Sequence, residues 1–465
     1  MHQVILQRKP IRTISGVTPL TVVVQPLSCR WRCTYCPTFK DAPKSYTPLS
    51  PAIMRAAPLK YDPFAQVQAR LEQLQQMQHP TNKIELILIG GTFLDPGSCA
   101  VEYQHSFIKS CYDSLNGKIS STLAEAQTLN ETAEHRCVAL CIETRPDVCE
   151  KEHIDRMLAF GTTRCELGVQ AIDNELYRIT KRGHGVQHVQ DATARLKNNS
   201  FKVGYHWMPG LPGSDLDKDI AMYKELFDNP AYRPDHVKIY PTQVMEGTIL
   251  GEEAKKTGWQ TYNDQELLKV LKALKKATPR YCRIMRIMRA VPSQYILSGT
   301  KHSDFRKLAA MALQKEGNSC QCIRCREVGF VQRNGKTVDK KIRLSTTSYE
   351  ASGGKEIFLE YVNKDDVLFA LARFRIPSAS HRKEITPKTL LIRELHVYGP
   401  EVIVAAHADQ AIQHTGLGKQ LMQEAEVVAD AEGCNNIVVI SGVGVRDYYR
   451  KLQFALEGPY MTKLL

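Results

Sequence analysis

Cys29-Arg30-Trp31-Arg32-Cys33-Thr34-Tyr35-Cys36-Pro37 places three thiols on one short loop, separated by three and two residues, directly after the apolar run 21–27. Three thiolates so spaced hold three irons of a 4Fe–4S cluster and leave the fourth iron without a protein ligand. An all-cysteine ferredoxin site closes the cluster with a fourth thiolate. The competing readings are half of a zinc knuckle, or three unrelated buried thiols. Zinc normally takes four ligands, and no fourth candidate stands near in the sequence.

Outward from this loop, short apolar segments at 21–27, 84–90, 138–144, 165–170, 203–208 and 236–240 alternate with helical patterns at 63–78, 151–160, 185–198 and 215–228. That alternation predicts βα units around a parallel sheet. Six units make an α/β fold, a partial TIM-type (βα)6 barrel, with its chemistry at the carboxyl ends of the strands. The distinctive residues fall there. Gly90, Gly91 and Thr92 end the second strand, where glycine lets the backbone approach a ligand. Glu143 and Arg145, at the tip of the third, must face a ligand or each other, because unpaired buried charge is costly. Gln170 shares a strand face with Glu166 on the fourth. His206, Trp207 and Met208 end the fifth, as an adenine-stacking surface or as ordinary core.

At 465 residues, two or three domains are expected. Hydrophobic residues, at 43%, are ample for buried cores. No apolar run reaches the roughly 20 residues of a membrane helix, and the first residues lack the apolar region of a secretory leader. Six of the 14 cysteines lie in two tight clusters, which reads as metal and cluster ligation in a reducing cytoplasm. A formal charge of +13 points to a polyanionic partner, most simply nucleic acid.

The middle of the chain carries the densest positive charge. Asp264–Ala277 reads as an amphipathic helix with lysines on its polar face, ended by Pro279. Arg280, Arg283, Arg286 and Arg289 follow at every third position between apolar residues, with Lys272, Lys275 and Lys276 just upstream. Arginine matches phosphate geometry and stacks on bases, so this stretch is the expected RNA-binding surface, against the alternative of a solvated helix face. Cys320, Cys322 and Cys325 form the second cluster and suit one structural zinc, with Cys282 or else His302 as fourth ligand. A second iron–sulphur cluster is the rival.

Beyond residue 326 the pattern changes to antiparallel-type strands at 357–362, 367–375 and 390–397, then a helix from Gly416. This order resembles the Gcn5-related acetyltransferases (GNAT), a smaller α+β fold. Gln413-His414-Thr415-Gly416-Leu417-Gly418-Lys419 matches that fold's pyrophosphate signature, after the strand Glu394-Leu395-His396-Val397. Its glycines expose amides at a helix amino terminus, which favours phosphate. Tyr448 and Tyr449 are the candidates for the thioester end of acetyl-CoA, or for core.

The cysteine loop, with an aromatic residue before its last thiol, resembles the radical S-adenosylmethionine superfamily, whose open iron chelates that cofactor. More specifically, Arg12-Thr13-Ile14-Ser15-Gly16-Val17, Tyr61-Asp62-Pro63-Phe64, Gly90-Gly91-Thr92-Phe93, Ile142-Glu143-Thr144-Arg145-Pro146-Asp147, Glu166-Leu167-Gly168-Val169-Gln170 and Lys238-Ile239-Tyr240-Pro241-Thr242 resemble the Elongator catalytic-subunit family. Two departures stand out. Eukaryotic members space the first two cluster cysteines more widely, and this chain begins almost at Arg12 without the basic extension many members carry. The resemblance implies a radical S-adenosylmethionine domain at 1–280, a basic and zinc-binding junction at 281–326, and an acetyltransferase-like domain at 327–465. It further implies that Gly90, Gly91, Thr92, Glu143, Arg145 and Gln170 hold S-adenosylmethionine, and that Lys83 helps hold acetyl-CoA.

The implied reaction is a radical abstraction from the acetyl-CoA methyl, addition to C5 of the wobble uridine in a tRNA anticodon stem-loop, and loss of CoA to give 5-carboxymethyluridine. An external electron donor is required. Abstraction needs the methyl roughly 3–3.5 Å from the adenosyl carbon, so the cluster loop is expected to face the acetyl-CoA cleft across the domain junction. Two rival readings remain: a protein lysine acetyltransferase with a structural cluster, and a tRNA-docking module whose cofactors only stabilise the fold.

Overall fold

Residues 83–89, Lys-Ile-Glu-Leu-Ile-Leu-Ile, show how the first half is built. Ile84, Leu86 and Leu88 are buried together with Val67, Leu71 and Phe107 of neighbouring helices, while Lys83, Glu85 and Ile87 alternate onto the other, partly accessible face. The computed structural model describes residues 11, 13–399 and 416–465. Seven strands form one parallel sheet in sequence order: β1 (Thr18–Val23), β2 (Lys83–Ile89), β3 (Arg136–Thr144), β4 (Arg164–Gln170), β5 (Lys202–Trp207), β6 (His236–Ile239) and β7 (Arg283–Ile287). It curls into a half-barrel with helices outside and a polar lumen inside. The helices start where the chemistry of their caps dictates. Asp62 accepts from the Ala65 amide before Pro63–Gln76, and Asn263 and Glu266 form a reciprocal capping box for Asp264–Ala277.

The six expected βα strands are present, and a seventh extends them. β7 is cut from the arginine-rich stretch, so the barrel sheet runs past residue 280, where the sequence reading ended it.

The second sheet runs β8 (Ile342–Ala351), β9 (Gly354–Asn363), β10 (Leu368–Ile376), β11 (Thr389–Val397), β12 (Asn436–Val439), β13 (Ala455–Glu457) and β14 (Tyr460–Leu464), in the order β8-β9-β10-β11-β12-β14-β13. Its pairs are antiparallel except β11 with β12, which run parallel. The helix Leu417–Ala431 links those two strands and packs on the sheet.

This domain docks on the amino ends of the barrel strands. Arg393 reaches Asp235, just before β6, and the Phe201 carbonyl, just before β5. Arg373 and Arg375 join Asp235, Glu356 and Asn198 in the same fully buried network. Gly442 lies so close to Val138 of β3 that any Cβ would strike the Val138 carbonyl. One continuous cluster of buried apolar side chains spans both sheets.

Candidate functional site

At the carboxyl ends of the strands, the cysteine loop leaves β1 and is stapled down by the Thr34 amide on the Thr180 carbonyl (3.0 Å) and the Leu250 amide on the Thr34 carbonyl (2.8 Å). Arg182 donates to Cys33 Sγ at 3.4 Å, and a second guanidinium, Arg145, lies 3.9 Å from the same sulfur. Burial alone raises a thiol, but the two guanidiniums outweigh it and hold Cys33 below the usual thiol range. Burial pushes Cys36 up, eased by Ser45 at 3.3 Å. Among the described residues, the Cys29, Cys33 and Cys36 sulfurs are not gathered within 4.8 Å of one another as the second trio's are.

Around the loop, Gly90 sits at φ 125° with its Cα against Val24; a Cβ there would lie 3.1 Å from the Val24 amide and carbonyl, so only glycine fits. Thr92 follows at the surface of the same turn, with Phe93 buried beneath it. Gln170 adopts a left-handed φ of 72°, and its Oε1 is buried without a hydrogen-bond partner among the described residues. An unsatisfied buried carboxamide beside a three-thiol loop is what a polar cofactor would complete. Arg145 stacks on Trp31 at 4.0 Å and pairs with Asp147. It does not pair with Glu143. Trp207 is core, edge-on to Tyr223.

Glu143 instead turns into the lumen. It accepts from Lys238 at 3.0 Å and lies 3.7 Å from His206; Glu166 accepts from Lys238 and from His206 (3.0 Å) and lies 3.3 Å from Arg164. Arg164 also pairs with Glu85 and donates to Cys141 Sγ at 3.2 Å. Burial opposes ionisation of Glu166, yet Lys238, His206 and Arg164 keep it well below the usual carboxylate range. The donor atoms of Glu143, Glu166 and His206 are close enough for a metal ion. The Lys238 ammonium, bonded to both carboxylates, already supplies the positive charge. Sequence reasoning named Glu143, Glu166 and His206 one strand at a time but missed Glu85, Arg164 and the column they form together, because each strand contributes only one or two polar residues to it. The available signal was a polar, ionisable side chain at an inward position on each of β2 to β6.

At the other end of the strands lies the cleft of the second domain. β11 and β12 pair only over Thr389–Ile392 and Asn436–Val439, so β11 continues beyond its partner and opens a wedge. Gly416, at φ 79°, starts the following helix. A Cβ on Gly418 would stand 3.2 Å from the Tyr448 hydroxyl and 3.9 Å from Val397. That hydroxyl is buried without a hydrogen-bond partner among the described residues, and burial pushes its pKa up to about 12. A glycine cradle facing an orphaned hydroxyl fits a carbonyl oxygen of a bound ligand. Leu395 lines the same stretch of β11, and Leu417 and Lys419 belong to the helix's first turn, Leu417 buried and Lys419 outward. Gln413 lies outside the described residues.

Several expected site residues turn elsewhere. Tyr449 packs into the core against Phe454, so it does not reach the cleft. Glu394 bonds Arg373 (2.7 Å) and faces Lys202 (3.4 Å), and His396 bonds the Ser15 carbonyl (2.7 Å). Both side chains therefore serve the barrel contact. Lys83 begins β2 between two domain contacts, Ser15 ahead of β1 and Arg136 on β3, whose Cβ lies 2.5 Å from where one on Gly444 would be. The cluster loop and the cleft thus lie at opposite ends of the strands, about 20 Å apart along a seven-residue strand. The paired side chains of the barrel interior lie between them, and the expectation of direct facing is corrected.

The basic stretch is also corrected. Lys275 is buried with its ammonium 3.7 Å from Cys325 Sγ; Arg280 pairs with Glu360 and Asp366; Arg283 is buried on Glu327; Lys272 pairs with Glu316. Arg289 donates to the Ser45 carbonyl beside Tyr46. Lys276 and Arg286 are the members of the set left exposed. Cys320, Cys322 and Cys325 gather their sulfurs within 4.8 Å. Thiol donation from Cys320 and Cys325, with Lys275 and Arg306 nearby, holds Cys322 well below the usual range. Cys282 does not enter this group; it is tied in through its carbonyl, which accepts from the Ile323 amide. His302 is solvent-facing beside Asp264 at 3.6 Å.

Residues 27–226 match the radical SAM superfamily model, and 234–315 match the Radical_SAM C-terminal domain model. The chain is 48% identical over 462 residues to the tRNA uridine(34) acetyltransferase of Dehalococcoides mccartyi (strain CBDB1), covering 98% of this chain and 100% of that protein. It is 40% identical to Elongator complex protein 3 of Homo sapiens, covering 99% of this chain and 86% of that protein. Among solved structures, the archaeal Methanocaldococcus infernus Elp3 with N-terminus deletion (1–46) aligns with a TM-score of 0.86 at 45% identity, covering 97% of this chain and all of that one.

Proposed function

The chain belongs to the family of the tRNA uridine(34) acetyltransferases and Elongator complex protein 3, and from that membership we propose that it modifies C5 of the wobble uridine of tRNA with the acetyl group of acetyl-CoA. A 4Fe–4S cluster and S-adenosylmethionine follow from the radical SAM family. When bound, they supply a 5′-deoxyadenosyl radical strong enough to take hydrogen from an unactivated methyl, chemistry that no side chain offers.

In this reading the residues divide the work by level. Cys29, Cys33 and Cys36 hold the cluster, and Gly90, Gly91, Thr92, Arg145 and Gln170 line the cofactor's place beside it. At the floor, Gly416 and Lys419 take the CoA pyrophosphate at the helix amino terminus. Gly418 and the Tyr448 hydroxyl beside it hold a carbonyl of the acyl arm, and Lys83 holds that arm where it enters the barrel. The arm passes up the lumen past Glu85, Arg164, Glu166, Lys238 and Glu143. His206 and the two carboxylates are placed to accept the uridine C5 proton or to activate the water that releases CoA. Lys276 and Arg286 contact tRNA phosphates. Cys320, Cys322 and Cys325 hold one structural zinc.

The observation that carries the reading is the convergence of Gly418, Val397 and the unpartnered Tyr448 hydroxyl at the barrel floor, with the cysteine loop at its top. The test is anaerobic: purified chain, dithionite, S-adenosylmethionine, acetyl-CoA and tRNA, followed by mass spectrometry of nucleosides. 5-Carboxymethyluridine and 5′-deoxyadenosine are expected together. Absence of both would sink the proposal, and peptide acetylation without deoxyadenosine would favour a protein acetyltransferase.

A further inference from the structure

The three cluster thiols are not equivalent. Cys36 has a neutral hydroxyl in hydrogen-bond reach, Ser45 at 3.3 Å, and feels Lys44 and Arg289 only through space. Cys33 has two guanidiniums, Arg182 at 3.4 Å and Arg145 at 3.9 Å. Arg182 is 7% exposed and every arm of its fork is committed: Nε to His184 Nε2 (3.1 Å), Nη2 to the Gly168 carbonyl, Nη1 to the sulfur. The surroundings are cut to fit it. A Cβ on Gly168 would stand 2.6 Å from Arg182 Nη2, and Arg145 clasps the Arg182 carbonyl at 2.7 Å. A guanidinium so fixed and so buried acts as a permanent charge on one corner of the site.

We propose that Arg182 is a positioning residue that raises the reduction potential of the cluster by donating a charged hydrogen bond to Cys33. The inference rests on the reading of Cys29, Cys33 and Cys36 as cluster ligands. One-electron reduction adds a unit of negative charge to the cluster and its thiolates. A buried cation beside a ligand sulfur stabilises the more negative state preferentially, and hydrogen bonds to the sulfurs are a principal lever on such potentials. The burial of Arg182 limits the screening that would weaken this at a surface.

The test is a dye-mediated redox titration of the reconstituted chain, followed by electron paramagnetic resonance without S-adenosylmethionine. At the ambient potential where half the wild-type clusters are reduced, Arg182→Gln is expected to show an about tenfold lower reduced-to-oxidised ratio, a shift of about 59 mV for a one-electron couple. Arg182→Lys keeps the charge but loses the fork, and is expected to fall about threefold. Loaded Arg182→Gln with the wild-type midpoint overturns the proposal, as does a variant whose only defect is weaker S-adenosylmethionine binding. If Arg182→Gln takes up no iron, Arg182→Lys decides, and a wild-type midpoint there overturns it equally. A wild-type chain that takes up no cluster overturns the underlying assignment, and this inference with it.

Discussion

Replacing Arg393 by methionine removes a guanidinium that is completely buried where the two domains meet. It bonds Glu356 at 2.9 Å, Asp235 at 3.1 Å and the Phe201 carbonyl at 2.9 Å. Without it, two buried carboxylates lose their best partner, a loss that costs about 3–5 kcal/mol. Lys197 belongs to the same network but not to the same category. Its ammonium lies 3.5 Å from Glu356 and 3.9 Å from Asp235 and makes no hydrogen bond among the described residues. It also shares those two carboxylates with Arg373, Arg375 and Arg393, so the cations are in excess. Burial, only partly offset by Glu356 and Asp235, lowers its pKa from 10.5 to about 8.

The sign follows from proton counting. Below pH 8 Lys197 is charged in both states and the full cost of burying it is present. Between about 8 and 10.5 the unfolded chain keeps a proton that the folded chain has shed, so stability rises with pH there. At 1.36 kcal/mol per pH unit this interval amounts to about 3 kcal/mol as an upper bound. Lys197→Met should therefore be close to neutral or stabilising at pH 7, and should lack the alkaline gain. The assay is denaturant and thermal unfolding of wild type, Arg393→Met and Lys197→Met at pH 7 and pH 10, compared as differences so that other titrating groups cancel. Equal destabilisation by the two substitutions at pH 7 would refute the reasoning. So would a Lys197→Met chain that keeps the wild-type rise.

Gly442→Ala drives a methyl into the Val138 backbone, and overpacking of this kind costs about 1–3 kcal/mol. Acetyl-CoA turnover should fall while deoxyadenosine formation without substrate persists, and parallel loss of both would show a general fold defect. One zinc per chain is expected by elemental analysis, lost in Cys322→Ser and retained in Cys282→Ser; the reverse pattern would put Cys282 in the site. Binding of tRNA should weaken with salt, and Lys276→Glu with Arg286→Glu should flatten that dependence by about 0.7 for each phosphate no longer neutralised. An unchanged slope would move the docking surface elsewhere.

What was legible in the sequence was local. Cys29, Cys33 and Cys36 lie within eight residues, so spacing marks their loop, and Gly416 and Gly418 gain meaning from the strand before them and the helix after. The strand order of the barrel was legible too, because parallel βα units place successive strands side by side. The arginine run misled for the opposite reason. Arg280, Arg283, Glu327, Glu360 and Asp366 are distant in the chain, and only folding brings the carboxylates to the guanidiniums. Arg283-Ile284-Met285-Arg286-Ile287 read as a basic face, yet it is a sheet strand with Arg283 sealed inside and Arg286 left out.

The relation between the two sites shows the deeper limit. Strand direction puts the cysteine loop at the carboxyl ends, but nothing in the barrel sequence says which end the second domain will cover. That choice is made by Phe201, Asp235 and Val138, an ordinary core residue, a loop acid and an edge contact, each meaningful only beside Arg393 and Gly442. Once the domain sits on the amino ends, the lumen becomes the shortest line between cleft and cluster. A barrel interior filled with aliphatic layers would close that line. Here it is occupied by Glu85, Arg164, Glu166, Lys238 and Glu143, groups that tolerate water and a polar arm. Their mutual pairing keeps the column from collapsing on any one charge, and the proposed route for the acyl arm needs a core of this polar kind.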